Sequence, residues 1–149
     1  MSESVKARDE AERERDDALA ALLAAANTIA VVGIKNDESE DAFRVPRYMQ
    51  QQGYRIVPVN PKLRRVLCER ARGSLAEVEQ PVEMVNLFRA PDHIEAHVDE
   101  ILAMSPRPST VWMQLGIFHD AAAARLRAEG ISVVQDRCIM VEHKRLLAR

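Results

Sequence analysis

Cysteine is scarce in this chain: Cys68 and Cys138 are the two in 149 residues. Two cysteines far apart make neither a disulfide framework nor a four-ligand structural zinc site. Aromatic residues are only 4%, too few for the interleaved rings of a single-strand nucleic-acid surface. No apolar run approaches the ~20 residues of a membrane span. The opening MSESVKARDEAERERDD is charged where an export signal would be apolar, so the cytoplasm is the expected location. With 21 Lys+Arg against 23 Asp+Glu, net −2, the chain has no global basic excess for nucleic acid. What it has is a 47% hydrophobic composition, enough at this length for one domain with a real core.

Charge is unevenly distributed. Residues 1–17 hold seven acids and four bases, a net of −3. Residues 44–72 hold eight bases (Arg44, Arg47, Arg55, Lys62, Arg64, Arg65, Arg70, Arg72) against Glu69, a net of +7. Between them stands an acidic knot of Asp37, Glu38, Glu40 and Asp41. A local basic segment suits a phosphate-rich small ligand, RNA or a solvated face.

Two kinds of segment alternate. Residues 8–26 read as a helix with Leu19, Leu22 and Leu23 on one face. TIAVVGI (28–34) is a continuous β-branched run that suits a strand buried on both sides. Ser39 is placed to cap a helix from Glu40 to Gln52, ended by Gly53. YRIVPVNP (54–61) is a second strand, in which Pro58 demands an irregularity or a position needing no donor. Arg65–Glu69 reads as a short extension, and Ser74 as the cap of one turn through Glu79. VEMVNLF (82–88), TVWMQL (110–115) and ISVVQ (131–135) are three further strands. Helices are expected from Pro91 to about Met104, over 120–130, and over Cys138–Leu147. The alternation implies βαβ crossovers. The expected fold is α/β: a Rossmann-like, doubly wound, parallel five-stranded sheet in order 3-2-1-4-5 with helices on both faces. It forms a single domain over 1–149, a charged N-terminal helix (1–27) followed by the core (28–149).

Ligands of such sheets bind outside the carboxyl ends of the strands where the order reverses, here between the first and fourth. The groups there are Gly33–Ile34–Lys35, Asn60–Pro61–Lys62, Phe88–Arg89 and Gln114–Leu115–Gly116. Gly33 permits a tight turn and close ligand approach. GIKNDESEDAFR lacks the further glycines of a dinucleotide fingerprint and the GK[ST] of a phosphate loop. No acid ends the second strand to hold a ribose, so an NAD dehydrogenase is disfavoured. Arg44, Arg47, Lys62 and Arg64 are expected to collect near the reversal. The four acids of 37–41 suit a helix start, yet they would repel a pyrophosphate.

The series TIAVVG, GYRIVPVNP, PVEMVNLFRAP, TVWMQLGI and VVQDRC resembles the small bacterial CoA-binding domain family, single-domain relatives of the CoA-binding domain of succinyl-CoA ligase. The likeness covers roughly residues 15–143. It implies a Rossmann-like fold with coenzyme A held at the strand ends. On that resemblance Gly33 and Ile34 face the phosphates, and Val59, Asn60, Pro61 and Lys62 hold the adenosine end. Phe88 and Arg89 border the pocket, and Gln114 and Gly116 lie near the pantetheine arm.

Catalytic constellations are thin. His93 and His97 are four apart and share a face with Glu100, but HIEAH is not the HExxH of zinc proteases. The face reads as metal ligands or as solvated helix. His119 stands at a helix start, and His143 lies in the last helix without a recognisable partner. Cys138 begins a helix after Asp136-Arg137, as a reactive thiol or as a small buried residue capped by Asp136. Trp112 and Met113 read as core and pocket wall. No GxSxG elbow is present. The expectation is a non-enzyme that binds coenzyme A or an acyl-CoA, without metal, nucleic acid or membrane, its protein partner unknown. A regulatory module for another phosphorylated nucleotide, and an interaction domain with a vestigial pocket, stay open beside it.

Overall fold

The computed structural model describes residues 2–147; Met1, Ala148 and Arg149, counted in the expected domain, lie outside the described residues. The elements follow as α1 (Glu3–Ala25), β1 (Thr28–Val32), α2 (Asp41–Gln51), β2 (Arg55–Val59), β3 (Arg65–Val66), β4 (Glu69–Arg70), β5 (Met84–Leu87), α3 (Ile94–Leu102), β6 (Thr110–Met113), α4 (Asp120–Ala128), β7 (Ser132–Val134) and α5 (Ile139–Leu146). β3 and β4 form a small antiparallel hairpin, and the other five strands form one parallel sheet.

The β-branched runs are buried on both sides because helices cover both faces. Ile94, Val98 and Ile101 of α3 and Leu126 of α4 pack with Val57, Val85 and Val111 on one face. Leu19 and Leu23 of α1, Met49 of α2 and Ile139 of α5 pack with Ile29, Ile56 and Trp112 on the other. The α/β, Rossmann-like, doubly wound architecture is the expected one. Trp112 and Met113 are core, as expected, and the Trp112 indole donates to the carbonyl of Arg137 at 2.8 Å.

One feature of the order is corrected. The sheet runs β2-β1-β5-β6-β7, so its strands, counted along the chain, lie 2-1-3-4-5 rather than 3-2-1-4-5. Ile29 of β1 pairs with Ile56 on one side and Met84 on the other. Pro58 supplies a physical reason. Its carbonyl points to the outer edge, where it accepts from Arg72 N–H at 2.9 Å. The missing N–H therefore falls on an edge, where proline is tolerated. β5 is buried along its whole length, as a central strand must be. The reversal accordingly lies between the first and third strands, which sets Phe88–Arg89 beside Gly33 and moves Gln114–Gly116 one strand away.

Several local expectations change with it. Ser2 caps α1, its hydroxyl accepting from Val5 N–H at 3.3 Å, so the helix starts earlier than residue 8. Ser39 caps nothing: its N–H and hydroxyl both donate to Asp37, at 2.9 and 2.7 Å. Residues Leu75–Glu77 form one 3-10 turn without a Ser74 side-chain cap, and Pro91–His93 form another before α3. Asp136 does not cap α5. Its carboxylate accepts from Gly116 N–H at 2.6 Å, and Cys138 takes the cap position. His119 caps α4 through Ala122 N–H at 3.1 Å.

Candidate functional site

The chain leaves β1 through Gly33, whose φ is +85°. Its α-carbon faces the carbonyl of Phe88 with no room for a Cβ, and the Arg89 side chain passes beside it. Glycine is required here by both backbone shape and contact. Two devices hold the adjoining turns. Asn60 donates from Nδ2 to the carbonyl of Ile34 at 2.7 Å and accepts from Lys62 N–H at 2.8 Å. It thus joins the loop after β1 to the loop after β2. Pro46, inside α2, has no N–H for the carbonyl of Ala42 four residues earlier. Lys35 N–H takes that carbonyl instead, at 3.1 Å.

These turns enclose a cavity of about 260 Å³ at the carboxyl ends of β1, β2 and β5. Of the expected site residues, Gly33, Lys35, Val59, Asn60, Pro61, Lys62, Phe88 and Arg89 line it. Its wall also takes Gly73, Ser74, Leu75, His97 and Glu100, which sequence reasoning did not assign to it. Val32, Val59 and Leu75, all buried, give it an apolar floor. Among the described residues no carboxylate forms an ion pair with Lys35, Lys62 or Arg89. An apolar floor under a cationic rim suits a ligand with both a hydrophobic or aromatic part and phosphates.

Five expected residues stand elsewhere. Ile34 is fully buried in the core beneath α1, α2 and α5. Arg44 pairs with Asp41 at 2.5 Å and donates to the carbonyl of Glu38. Arg47 pairs with Glu38 at 3.5 Å and lies over the Phe43 ring. Glu38 and Asp41 of the acidic knot thus pair with those two arginines, and none of its four acids lines the cavity. Asp37 is held below the usual carboxylate range, chiefly by the Ser39 hydroxyl and N–H. Gln114 is buried, accepting from Ile139 N–H at 3.0 Å and from Asn86 at 3.3 Å. Gly116 turns at φ +84° beside Asp136, away from this cavity. Arg64, also expected near the reversal, stands at the base of the hairpin, its carbonyl taking Ala71 N–H.

The wall at 73–75 arrives through a parallel bridge of Arg72 to Val59 at the sheet edge; no hydrophobic period in 62–80 marks it. His97 and Glu100 form a half-buried pair, not a solvated face. Nδ1 of His97 bonds Glu100 at 2.8 Å, the imidazole is 15% exposed, and its Nε2 is buried without a partner among the described residues. His93 is exposed on the preceding turn. Among the described residues no cluster of three or more His, Cys, Asp or Glu could hold a metal ion, and no helix is long and apolar enough to cross a membrane.

Comparison with known proteins bears on the family and the fold. A family described as CoA binding domain matches residues 27–144. The uncharacterized protein YneT of Bacillus subtilis is 33% identical over 122 residues, 82% of this chain and 89% of its own. A solved Thermus thermophilus structure is 45% identical with a TM-score of 0.84, over 89% of this chain and 98% of the other. A hypothetical protein from the archaeon Pyrococcus horikoshii OT3 superposes at a TM-score of 0.84 with 30% identity, over 89% and 92% of the two chains.

Proposed function

The chain belongs to the CoA binding domain family, and from that premise we propose that it binds coenzyme A, free or acylated, in the crevice between the ends of β2, β1 and β5 and performs no reaction on it. One observation carries the reading: Lys35, Lys62 and Arg89, none in an ion pair with a described carboxylate, line one cavity with buried Val32, Val59 and Leu75. Three cations match a ligand whose phosphates give it several negative charges. The apolar floor matches the adenine ring of the same molecule. The small cavity takes part of such a ligand, and the rest lies along the strand ends.

The non-catalytic part of the reading rests on the side chains around the cavity. His97 is committed to Glu100 through Nδ1, and its other ring nitrogen is closed off from solvent. General acid–base work needs a group within reach of the reacting atom. On this reading the ligand is a small molecule. Native mass spectrometry of protein purified without added ligand tests it. The expected spectrum shows an adduct with the mass of coenzyme A or an acyl-CoA. Another nucleotide in that place, with no adduct formed on adding coenzyme A, overturns it.

A further inference from the structure

A second crevice, of about 380 Å³, opens where the chain leaves β6 and β7 and runs against α5. Its walls include Leu115, 69% exposed, and Val141, 51% exposed. Phe118, three residues after Leu115, is 56% exposed. Leu115 and Val141 therefore bring apolar side chains in contact with solvent to the same crevice. The charged members of the crevice are already engaged. Arg137 pairs with Glu142 at 3.5 Å, Glu142 with Arg145 at 2.6 Å, and Asp136 accepts Gly116 N–H. Beside these engaged charges and Gln135, Leu115 and Val141 give the crevice exposed apolar surface.

The sheet connects the two crevices. Val32 at the end of β1 stands beside Leu87 of β5, which stands beside Met113 of β6. Neighbouring strands are ~4.8 Å apart, so the Leu115 loop begins roughly 10 Å from Gly33 along the carboxyl edge. A ligand with its phosphates beside Lys35, Lys62 and Arg89 can lay an extended pantetheine arm across that edge and end in the second crevice. We propose that the crevice of Leu115, Cys138 and Val141 receives the hydrocarbon chain of an acyl-CoA, so that the protein selects acylated coenzyme A by chain length. This rests on the coenzyme A reading above and adds the class of acyl group to it.

Calorimetric titration with coenzyme A, acetyl-CoA, butyryl-CoA and octanoyl-CoA tests the proposal. Burial of each methylene is expected to tighten binding roughly two- to four-fold until the crevice is filled. In Leu115→Ser/Val141→Ser the ratio of octanoyl-CoA to coenzyme A affinity falls toward one; both sites are exposed, so the fold tolerates the change. Cys138 gives an independent readout. Octanoyl-CoA slows its alkylation by iodoacetamide more than coenzyme A does, while exposed Cys68 on the hairpin reacts at an unchanged rate. Equal affinity for all four ligands overturns the acyl site and leaves coenzyme A binding standing. Failure of all four to bind overturns both.

Discussion

Gly33 and Phe88 meet main chain to main chain: a Cβ on Gly33 would collide with the carbonyl of Phe88, and the Gly33 φ of +85° is one that side chains rarely adopt. This contact joins the turn after β1 to the end of β5 and places Arg89 over the crevice. Gly33→Ala is expected to cost about 1–3 kcal/mol of stability and to push the two loops apart. Chemical denaturation measures the first effect, and coenzyme A titration of the folded fraction measures the second.

Lys35, Lys62 and Arg89 differ from Arg44 and Arg47 in forming no ion pair with a described carboxylate. Replacing any one of the first three with alanine is expected to weaken coenzyme A binding about ten-fold, the value of one charge-assisted hydrogen bond. The affinity of the native protein should fall as salt is raised. Arg44→Ala and Arg47→Ala act on exposed ion pairs and should change the dissociation constant less than about two-fold. Fluorescence competition across the five variants separates the groups.

Asn60 acts as a brace, since its amide and its carbonyl oxygen are each used within the protein. Asn60→Ala leaves the carbonyl of Ile34 without its donor and is expected to cost about 1–2 kcal/mol. Hydrogen exchange should then rise at Lys62 N–H, the group whose acceptor has been removed. Unchanged exchange at Lys62 would contradict the brace.

His143 is buried where α5 meets α2 and the end of α1, with its Nδ1 2.8 Å from the Tyr48 hydroxyl. The rings of Tyr48 and Tyr54 meet it edge-on. Burial holds its pKa below the ordinary 6.5, so the unfolded chain binds a proton more readily than the folded one. Its stabilising contribution is complete above pH 6.5 and is lost as pH falls through the depressed folded value. The melting temperature should fall between neutral pH and about pH 5. His143→Gln should flatten that drop.

The strands were legible because runs such as TIAVVGI and VEMVNLF carry their own burial signal. Their order was not, because which strand lies beside β1 depends on partners distant in the chain. Pro58 was the local clue to an edge strand, and it asked for a free donor position before the order was known. At the site, Gly33, Lys35, Asn60, Lys62 and Arg89 could be read from positions just after strands. Leu75 and Ser74 could not, since they reach the cavity through the Arg72–Val59 bridge. Two acids of the knot, Asp41 and Glu38, are paired with Arg44 and Arg47. Asp41 and Arg44 are one helical turn apart, so their pairing was available from spacing alone.

The central claim is that three unpaired cations at the ends of β1, β2 and β5 hold coenzyme A. Isothermal titration of coenzyme A into the native protein and into Lys35→Ala/Lys62→Ala/Arg89→Ala tests it most directly. The account predicts saturable one-to-one binding by the native protein and no measurable heat from the triple variant at the same concentrations. Heat near zero from the native protein at millimolar ligand, or equal affinity in the two proteins, would contradict it.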